Sequence, residues 1–250
     1  MPGPVSRKIR IDRLLTERGV AASREKAQAL ILAGRVMAGN QKVEKCGTAV
    51  DATIELRVLD GKEKYVSRAG WKLEGALARF QIDPAGRVCM DVGASTGGFT
   101  QCLLSHNAAK VYAVDAGTNQ LDWKIRNDPR VVVMEKTNAR YLQPGQFRER
   151  VDLVTVDVSF ISATLLIPVL PPLIASKADV LILVKPQFEA GRAKVGKGGI
   201  IRDPALHREA VEKVAGCLNE FGFQIFGSAE SQLPGATGNR EFFVYAVRKE

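Results

Sequence analysis

The sequence predicts an α/β protein: a parallel sheet covered by helices on both faces, preceded by a small α+β unit. Three observations lead there. From residue 66 onward, β-rich apolar runs alternate with helical segments, the pattern of strands joined by crossover helices. A glycine-rich turn, DVGASTGGFT (residues 91–100), joins the first of those runs to a helix. Basic charge concentrates at the N-terminus, where residues 1–64 hold 13 Lys/Arg against 8 Asp/Glu; the rest of the chain holds 23 against 19.

The N-terminal unit is expected over residues 1–59. Ile11, Leu14 and Leu15 recur at helical spacing, and Gly19 stops that helix. Ser23 suits an N-cap, Ala27, Leu30 and Ile31 form the apolar face of a second helix, and Gly34 ends it. Val36 to Ala38, a turn at Gly39-Asn40, and Lys42-Val43 predict a hairpin; Ile54, Leu56 and Val58 alternate as a last strand. Its polar positions are strongly basic: Arg7, Arg10, Arg13, Arg18, Arg24, Lys26 and Arg35. Only four acidic residues lie between Arg7 and Lys45, too few for intrahelical ion pairs to absorb that charge. The expectation is a surface for RNA phosphates.

A polar linker is expected over 60–65 and the α/β domain over 66–250. Its strands are expected at 88–92, 110–115, 131–134, 151–157 and 180–184. Helices are expected at 71–80, 97–106, 119–126 and 161–176. A long helix at 204–221 precedes two final strands, at 223–228 and 242–247. The four cysteines are far apart and only two histidines exist, so neither a metal site nor a disulfide framework is expected. The longest apolar run, 165–174, is broken by Pro168, Pro171 and Pro172 and is too short to span a bilayer. The N-terminus lacks the apolar core of a signal peptide, so a cytoplasmic location is expected, away from membranes.

The glycine turn discriminates among nucleotide-like ligands. A dinucleotide site needs G-x-G-x-x-G, but Ser95 stands at the second glycine position. A phosphate loop needs a lysine after its last glycine, where Phe99 stands instead. S-adenosylmethionine carries no phosphate. It asks for an acid at the end of the first strand, small residues beside it, and a second acid for the ribose diol. Asp91 and Gly93 fit the first requirement, and Asp115, closing the second strand, fits the other. Asn138, after the third strand, is placed to hydrogen-bond the adenine. Singly, Asp91 also fits a helix cap, Asp115 a turn and Asn138 a loop cap. Together, after successive strands of an open sheet, they favour the cofactor.

Methyl transfer to a ribose 2′-hydroxyl needs help with the proton. A lysine with a depressed pKa accepts it, and an ammonium stabilises the developing alkoxide. Lys185 ends an apolar strand, Asp157 ends the neighbouring one, Glu241 starts the last strand, and Lys72 lies on the helix before the first. Base methylation would favour an Asn-Pro-Pro-aromatic motif where Asp157-Val158-Ser159-Phe160 stands.

These residues carry two resemblances. RIDRLLTERGVAASREKAQALILAGRVMAGNQKV resembles the S4 RNA-binding module. SRAGWKLEGAL, DVGASTGGFT, RNDPRVVVMEKTNAR, VDLVTVDVSFIS, LVKPQFE and LPGATGNREFF, following in order, resemble the TlyA family, often labelled hemolysin A, whose catalytic domain is of the FtsJ type. The resemblance implies a Rossmann-like S-adenosylmethionine-dependent methyltransferase domain behind an S4 domain, acting on cytidine 2′-hydroxyls of ribosomal RNA or a ribosomal subunit. It implies a Lys72, Asp157, Lys185, Glu241 tetrad. It places the cofactor on Asp91, Gly93, Ser95, Thr96, Gly97, Phe99, Asp115 and Asn138. The basic loop carrying Arg192, Lys194 and Lys197 is expected to border the RNA. The chain stops just past its last strand, like the shorter members associated with large-subunit RNA. Two readings from other classes are a non-catalytic RNA-binding assembly factor and, by the family label, a hemolysin; no apolar span supports the latter.

Overall fold

The computed structural model describes residues 8–32, 34–39, 41–43, 45–58, 64–191, 195–235 and 237–249. Arg7, Asn40, Arg192, Lys194, the side chain of Lys197 and most of the expected linker lie outside the described residues. The chain divides into two compact units, Met1–Glu63 and Lys64–Glu250.

In the first unit, α1 (Ile11–Glu17) and α2 (Arg24–Leu32) pack through Ile11, Leu15, Ala27 and Ile31, all fully buried. Ser23 Oγ accepts the Lys26 N–H, the expected N-cap bond. Strands β2 (Val36–Ala38), β3 (Gln41–Val43) and β5 (Leu56–Val58) form an antiparallel sheet in the order β3-β2-β5. A second pairing escapes the sequence patterns: β1 (Lys8–Arg10) runs antiparallel to β4 (Ala49–Asp51). Three-residue strands are too short to display a period of two.

The second unit is built on a seven-stranded sheet. Helix α3 (Arg68–Phe80) precedes β6 (Val88–Val92), α4 (Gly98–Ser105) and β7 (Lys110–Val114). Then come α5 (Trp123–Arg126), β8 (Val131–Met134), β9 (Val151–Val156) and β10 (Ile174–Val184). A single turn, α6 (Pro186–Glu189), leads to α7 (Pro204–Glu220), β11 (Phe223–Glu230) and β12 (Phe242–Arg248). The order is β11-β12-β10-β9-β6-β7-β8. The five strands β6 to β10 are parallel; β12 runs antiparallel to β10, and β11 antiparallel to β12.

The period of two on each strand sorts the core onto both faces. Met90, Val92, Val154 and Ile182 pack with Val214 and Leu218 of α7. Cys89, Leu153 and Leu181 pack with Leu73, Leu77 and Leu103 of α3 and α4. Two expected helices are corrected. Residues 161–176 form two isolated 3₁₀ turns, Ala163–Leu165 and Ile167–Val169, and the chain is already in β10 at Ile174. Pro168, Pro171 and Pro172 lack the N–H a helix interior needs, and each biases the residue before it toward extended backbone. The helix expected at 119–126 contracts to Trp123–Arg126, because the Asp122 carboxylate accepts the Lys124 N–H and sets the start there.

Candidate active site

The carboxyl ends of β6, β7 and β9 meet where strand order leaves a crevice, the usual ligand position in such sheets. A cleft of about 460 Å³ opens there. Gly93, Ser95, Asp115, Asn138 and Asp157 line it, as do Gln120, Thr137 and the segment Val158 to Ile161.

Each wall is fixed locally. Asp115 Oδ2 accepts the Ser95 N–H at 2.8 Å and Oδ1 accepts the Gly117 N–H at 2.6 Å. Each oxygen keeps a lone pair, so the carboxylate can still receive two hydroxyls. Asn138 Oδ1 accepts the Arg140 N–H at 3.1 Å, capping the 3₁₀ turn Ala139–Tyr141 while facing the cleft. It is both the cap and the cleft residue that the sequence offered as alternatives. Glu135, not singled out by the sequence, accepts the Gln120 N–H at 3.0 Å and pairs with Arg126 at 2.7 Å. The Arg126 guanidinium holds its carboxyl down, to about 2.

Gly93 has φ +88, and a Cβ there would lie 2.4 Å from the Asp157 carbonyl oxygen. Gly93→Ala must displace the end of β9 and adopt a strained backbone at once. Calorimetric titration is expected to show at least about a tenfold loss of S-adenosylmethionine affinity in that variant. Wild-type affinity would remove Gly93 from the site.

Four of the expected cofactor residues are placed elsewhere. Asp91 is fully buried among Thr100 and Thr155, with Thr100 Oγ1 donating to Oδ2 at 2.7 Å. On β6 it points, with Cys89, toward α4, and does not line the cleft. Phe99 is a core residue, its ring stacked on Phe243 at 6.2 Å. Gly97 packs on α5; a Cβ there would meet Ile125 Cδ1 at 2.6 Å and Leu121 Cδ1 at 2.9 Å. Thr96 is exposed, and its carbonyl accepts the Asp122 N–H. These four shape the turn that Gly93 and Ser95 present.

Burial pushes the Asp91 carboxyl up to about 7, against the Thr100 hydrogen bond. An unfolded aspartate ionises near about 4. The folded chain therefore holds the extra proton between about pH 4 and 7, and stability falls as pH rises through that window. Asp91→Asn keeps an acceptor for Thr100 and is expected to remove that slope. Thermal melts across the window check it; an unchanged slope would refute the assignment.

Beside the cleft, two ion pairs end adjacent strands. Lys185 Nζ lies 2.6 Å from Asp157 Oδ1 and donates to Ser159 Oγ at 2.8 Å. Lys72 Nζ donates to Glu241 Oε2 at 2.6 Å. The second pair is deeply buried, with side chains 10% and 4% exposed. The β10–β12 register ends at Val184↔Phe242, so Lys185 and Glu241 are the next residues along the two strands, and Asp157 directly follows β9. All four expected catalytic residues thus gather at one sheet edge. A buried pair such as Lys72–Glu241 costs desolvation that packing alone would avoid, so stability is a weak reason for it. Gly235 leaves room for the carboxylate, since a Cβ there would lie 2.4 Å from Glu241 Oε1. Asn239, buried just upstream, accepts the Ile201 N–H at 2.9 Å and donates to the Gly199 carbonyl at 2.8 Å. It ties the loop after α6 to the approach of β12.

In the N-terminal unit, the buried Asp12 organises the basic surface. It pairs with Arg10 at 2.9 Å and Arg24 at 3.1 Å, both about half exposed, and accepts from Gln28. The Arg10 guanidinium holds its carboxyl well below the usual range. Arg13 is exposed and pairs with Glu17. Arg18 instead serves the fold, donating to the Ile54 carbonyl at 2.6 Å and to that of Ala52. Lys26 is exposed and Arg35 half-buried.

Comparison with known proteins joins these observations. The model of the FtsJ-like methyltransferase family matches residues 65–248, containing the cleft and both ion pairs. The chain belongs to that family. The S4 domain model matches residues 9–53 of this FtsJ-like methyltransferase. It is 48% identical over 242 residues to the 16S/23S rRNA (cytidine-2'-O)-methyltransferase TlyA of Mycobacterium tuberculosis, covering 96% of this chain and 90% of that one. Hemolysin A of Brachyspira hyodysenteriae is 42% identical over 240 residues, covering 96% of this chain and 100% of that protein. A solved structure from Streptococcus thermophilus, also carrying a hemolysin name, aligns at TM-score 0.76 and 40% identity, covering 98% and 90% of the two chains. By these likenesses the methyltransferase groups with the TlyA and hemolysin A proteins. Among the described residues, no helix is long and apolar enough to cross a membrane.

Proposed function

We propose that the protein is an S-adenosylmethionine-dependent ribosomal RNA (cytidine-2′-O)-methyltransferase. The observation that carries this reading is the pair of lysine–carboxylate contacts, Lys185–Asp157 and Lys72–Glu241, at the sheet edge beside the cleft. The fit of the cleft to the cofactor rests on Asp115 for the ribose diol and Asn138 for the adenine, with no lysine in the turn to claim a phosphate. When bound, S-adenosylmethionine supplies an electrophilic methyl group on a sulfonium.

The chain's own residues do the rest. Lys185, held by Asp157, is assigned to receive the 2′-hydroxyl proton, which leaves its nitrogen as an ammonium paired with the Asp157 carboxylate. Lys72, held by Glu241, adds a fixed cation facing charge that develops on the oxygen, with no reorganisation needed at the moment of transfer. Arg10, Arg13, Arg24 and Lys26 of the S4 domain supply phosphate contacts that position the RNA without reading its sequence. By sequence, Arg7 and Arg35, and separately Arg192, Lys194 and Lys197, are further basic residues to which we assign phosphate contacts.

Mapping 2′-O-methyl groups in 16S and 23S RNA from cells with and without the gene tests the reading. At least one cytidine methyl group is expected to vanish on deletion and return with the wild-type gene. Identical maps would refute it.

A further inference from the structure

A single turn faces the cleft wall residue for residue. Lys185 contacts Asp157 and Ser159. Three residues on, the Phe188 ring meets the Phe160 ring at 5.3 Å. Glu189 then accepts hydrogen bonds from Ser162 Oγ and, at 2.7 Å, from the Ala163 N–H. The segment Lys185 to Glu189 therefore grips residues 157–163 along their length.

That wall needs gripping. Phe160 has φ +68, a region bulky side chains rarely adopt, and is 88% exposed, so its own burial does little to hold it there. Val158, Ser159, Phe160 and Ile161 all line the cleft, and Asp157 begins the segment. Strained backbone persists where its surroundings over-determine it. Glu189 is the buried carboxylate among those surroundings. Its side chain is 2% exposed, and Lys213 Nζ completes its partners by donating to Oε2 at 3.1 Å and to the Glu189 carbonyl at 3.0 Å. None of the chemistry above uses this buried carboxylate.

We infer that Glu189 is a positioning residue that locks the wall 157–163, and so sets both the width of the cofactor cleft and the Asp157 side of the Lys185 pair. The carboxylate accepts from three donors on the wall and α7, and its removal leaves the buried Ala163 N–H without an acceptor. The inference rests on the proposed reading only in taking the cleft as the S-adenosylmethionine site.

The test uses the full chain with Glu189→Ala and Glu189→Gln. Three quantities are measured: S-adenosylmethionine Kd by calorimetry, amide hydrogen exchange by peptide, and affinity for ribosomal RNA. For Glu189→Ala the expected result is a Kd raised about tenfold or more and faster exchange confined to peptides covering 157–163. RNA affinity is expected to hold. Glu189→Gln keeps an acceptor for the Ala163 N–H and is expected to fall between wild type and Glu189→Ala. A Kd within about twofold of wild type would overturn the inference. So would faster exchange spread over the whole sheet, which marks a residue that merely supports the fold. Should Glu189→Ala fail to fold, Glu189→Gln carries the test, with a raised Kd and locally faster exchange supporting the inference and their absence overturning it. If the wild-type chain binds no S-adenosylmethionine, the reading of the cleft fails. Exchange at 157–163 then decides the lock alone: locally faster in the variant supports it, unchanged overturns it.

Discussion

Lys185→Ala is expected to lower the single-turnover rate of methyl transfer by at least about a thousandfold, while S-adenosylmethionine still binds within about threefold. The asymmetry follows from where the side chain sits. Lys185 touches Asp157 and Ser159 but is not among the residues lining the cleft, whereas Asp115 and Asn138 are. Removing the amine takes away the proposed proton acceptor and leaves the cleft residues Asp115 and Asn138 in place. Rapid-quench assays with methyl-labelled cofactor, paired with calorimetry, separate the two quantities. Normal turnover in the variant would sink the mechanism, and a parallel collapse of cofactor affinity would move Lys185 into the binding site.

Removing residues 1–63 is expected to lower affinity for ribosomal RNA by about a hundredfold near physiological salt and to reduce the salt slope by about 3. Four phosphate contacts, from Arg10, Arg13, Arg24 and Lys26, give that slope at about 0.7–0.9 per contact, and all four residues are substantially exposed. The remaining unit, Lys64–Glu250, keeps the seven-stranded sheet, the cleft and both ion pairs. Its S-adenosylmethionine affinity is therefore expected to stay within about twofold of wild type. Filter binding across a salt series measures the RNA term. An unchanged slope would assign the phosphate contacts elsewhere.

Much of the sheet was legible because its strands are apolar runs bounded by turn residues, and its ends carry acids where ligands sit in such folds. Asp115, Asn138 and Asp157 were singled out as residues following successive strands, and all three line the cleft. Burial direction was harder to read. Asp91 and Val92 are neighbours on one strand, yet the period of two sends the acid under α4, and a motif read as a string does not reveal the face. Phe99 and Gly97 belong to the same motif but serve core packing. The helix expected at 161–176 failed because apolar content outweighed three prolines. Asp12, Glu135 and Glu189 left almost no mark in the sequence, because an acid earns its role there from donors distant along the chain. Glu189 receives Ser162 from 27 residues away, and Asp12 receives Arg24 from 12.

The Lys72–Glu241 bond has a consequence for synthesis on the ribosome. Its partners are 169 residues apart, and β12 is the last strand to emerge. Until then α3 carries an ammonium destined for a buried place with no counter-charge to meet it. Every residue lining the cleft lies within 92–166 and is made long before. A chain terminated ahead of Glu241 thus carries the whole cleft lining but lacks the carboxylate that seats Lys72.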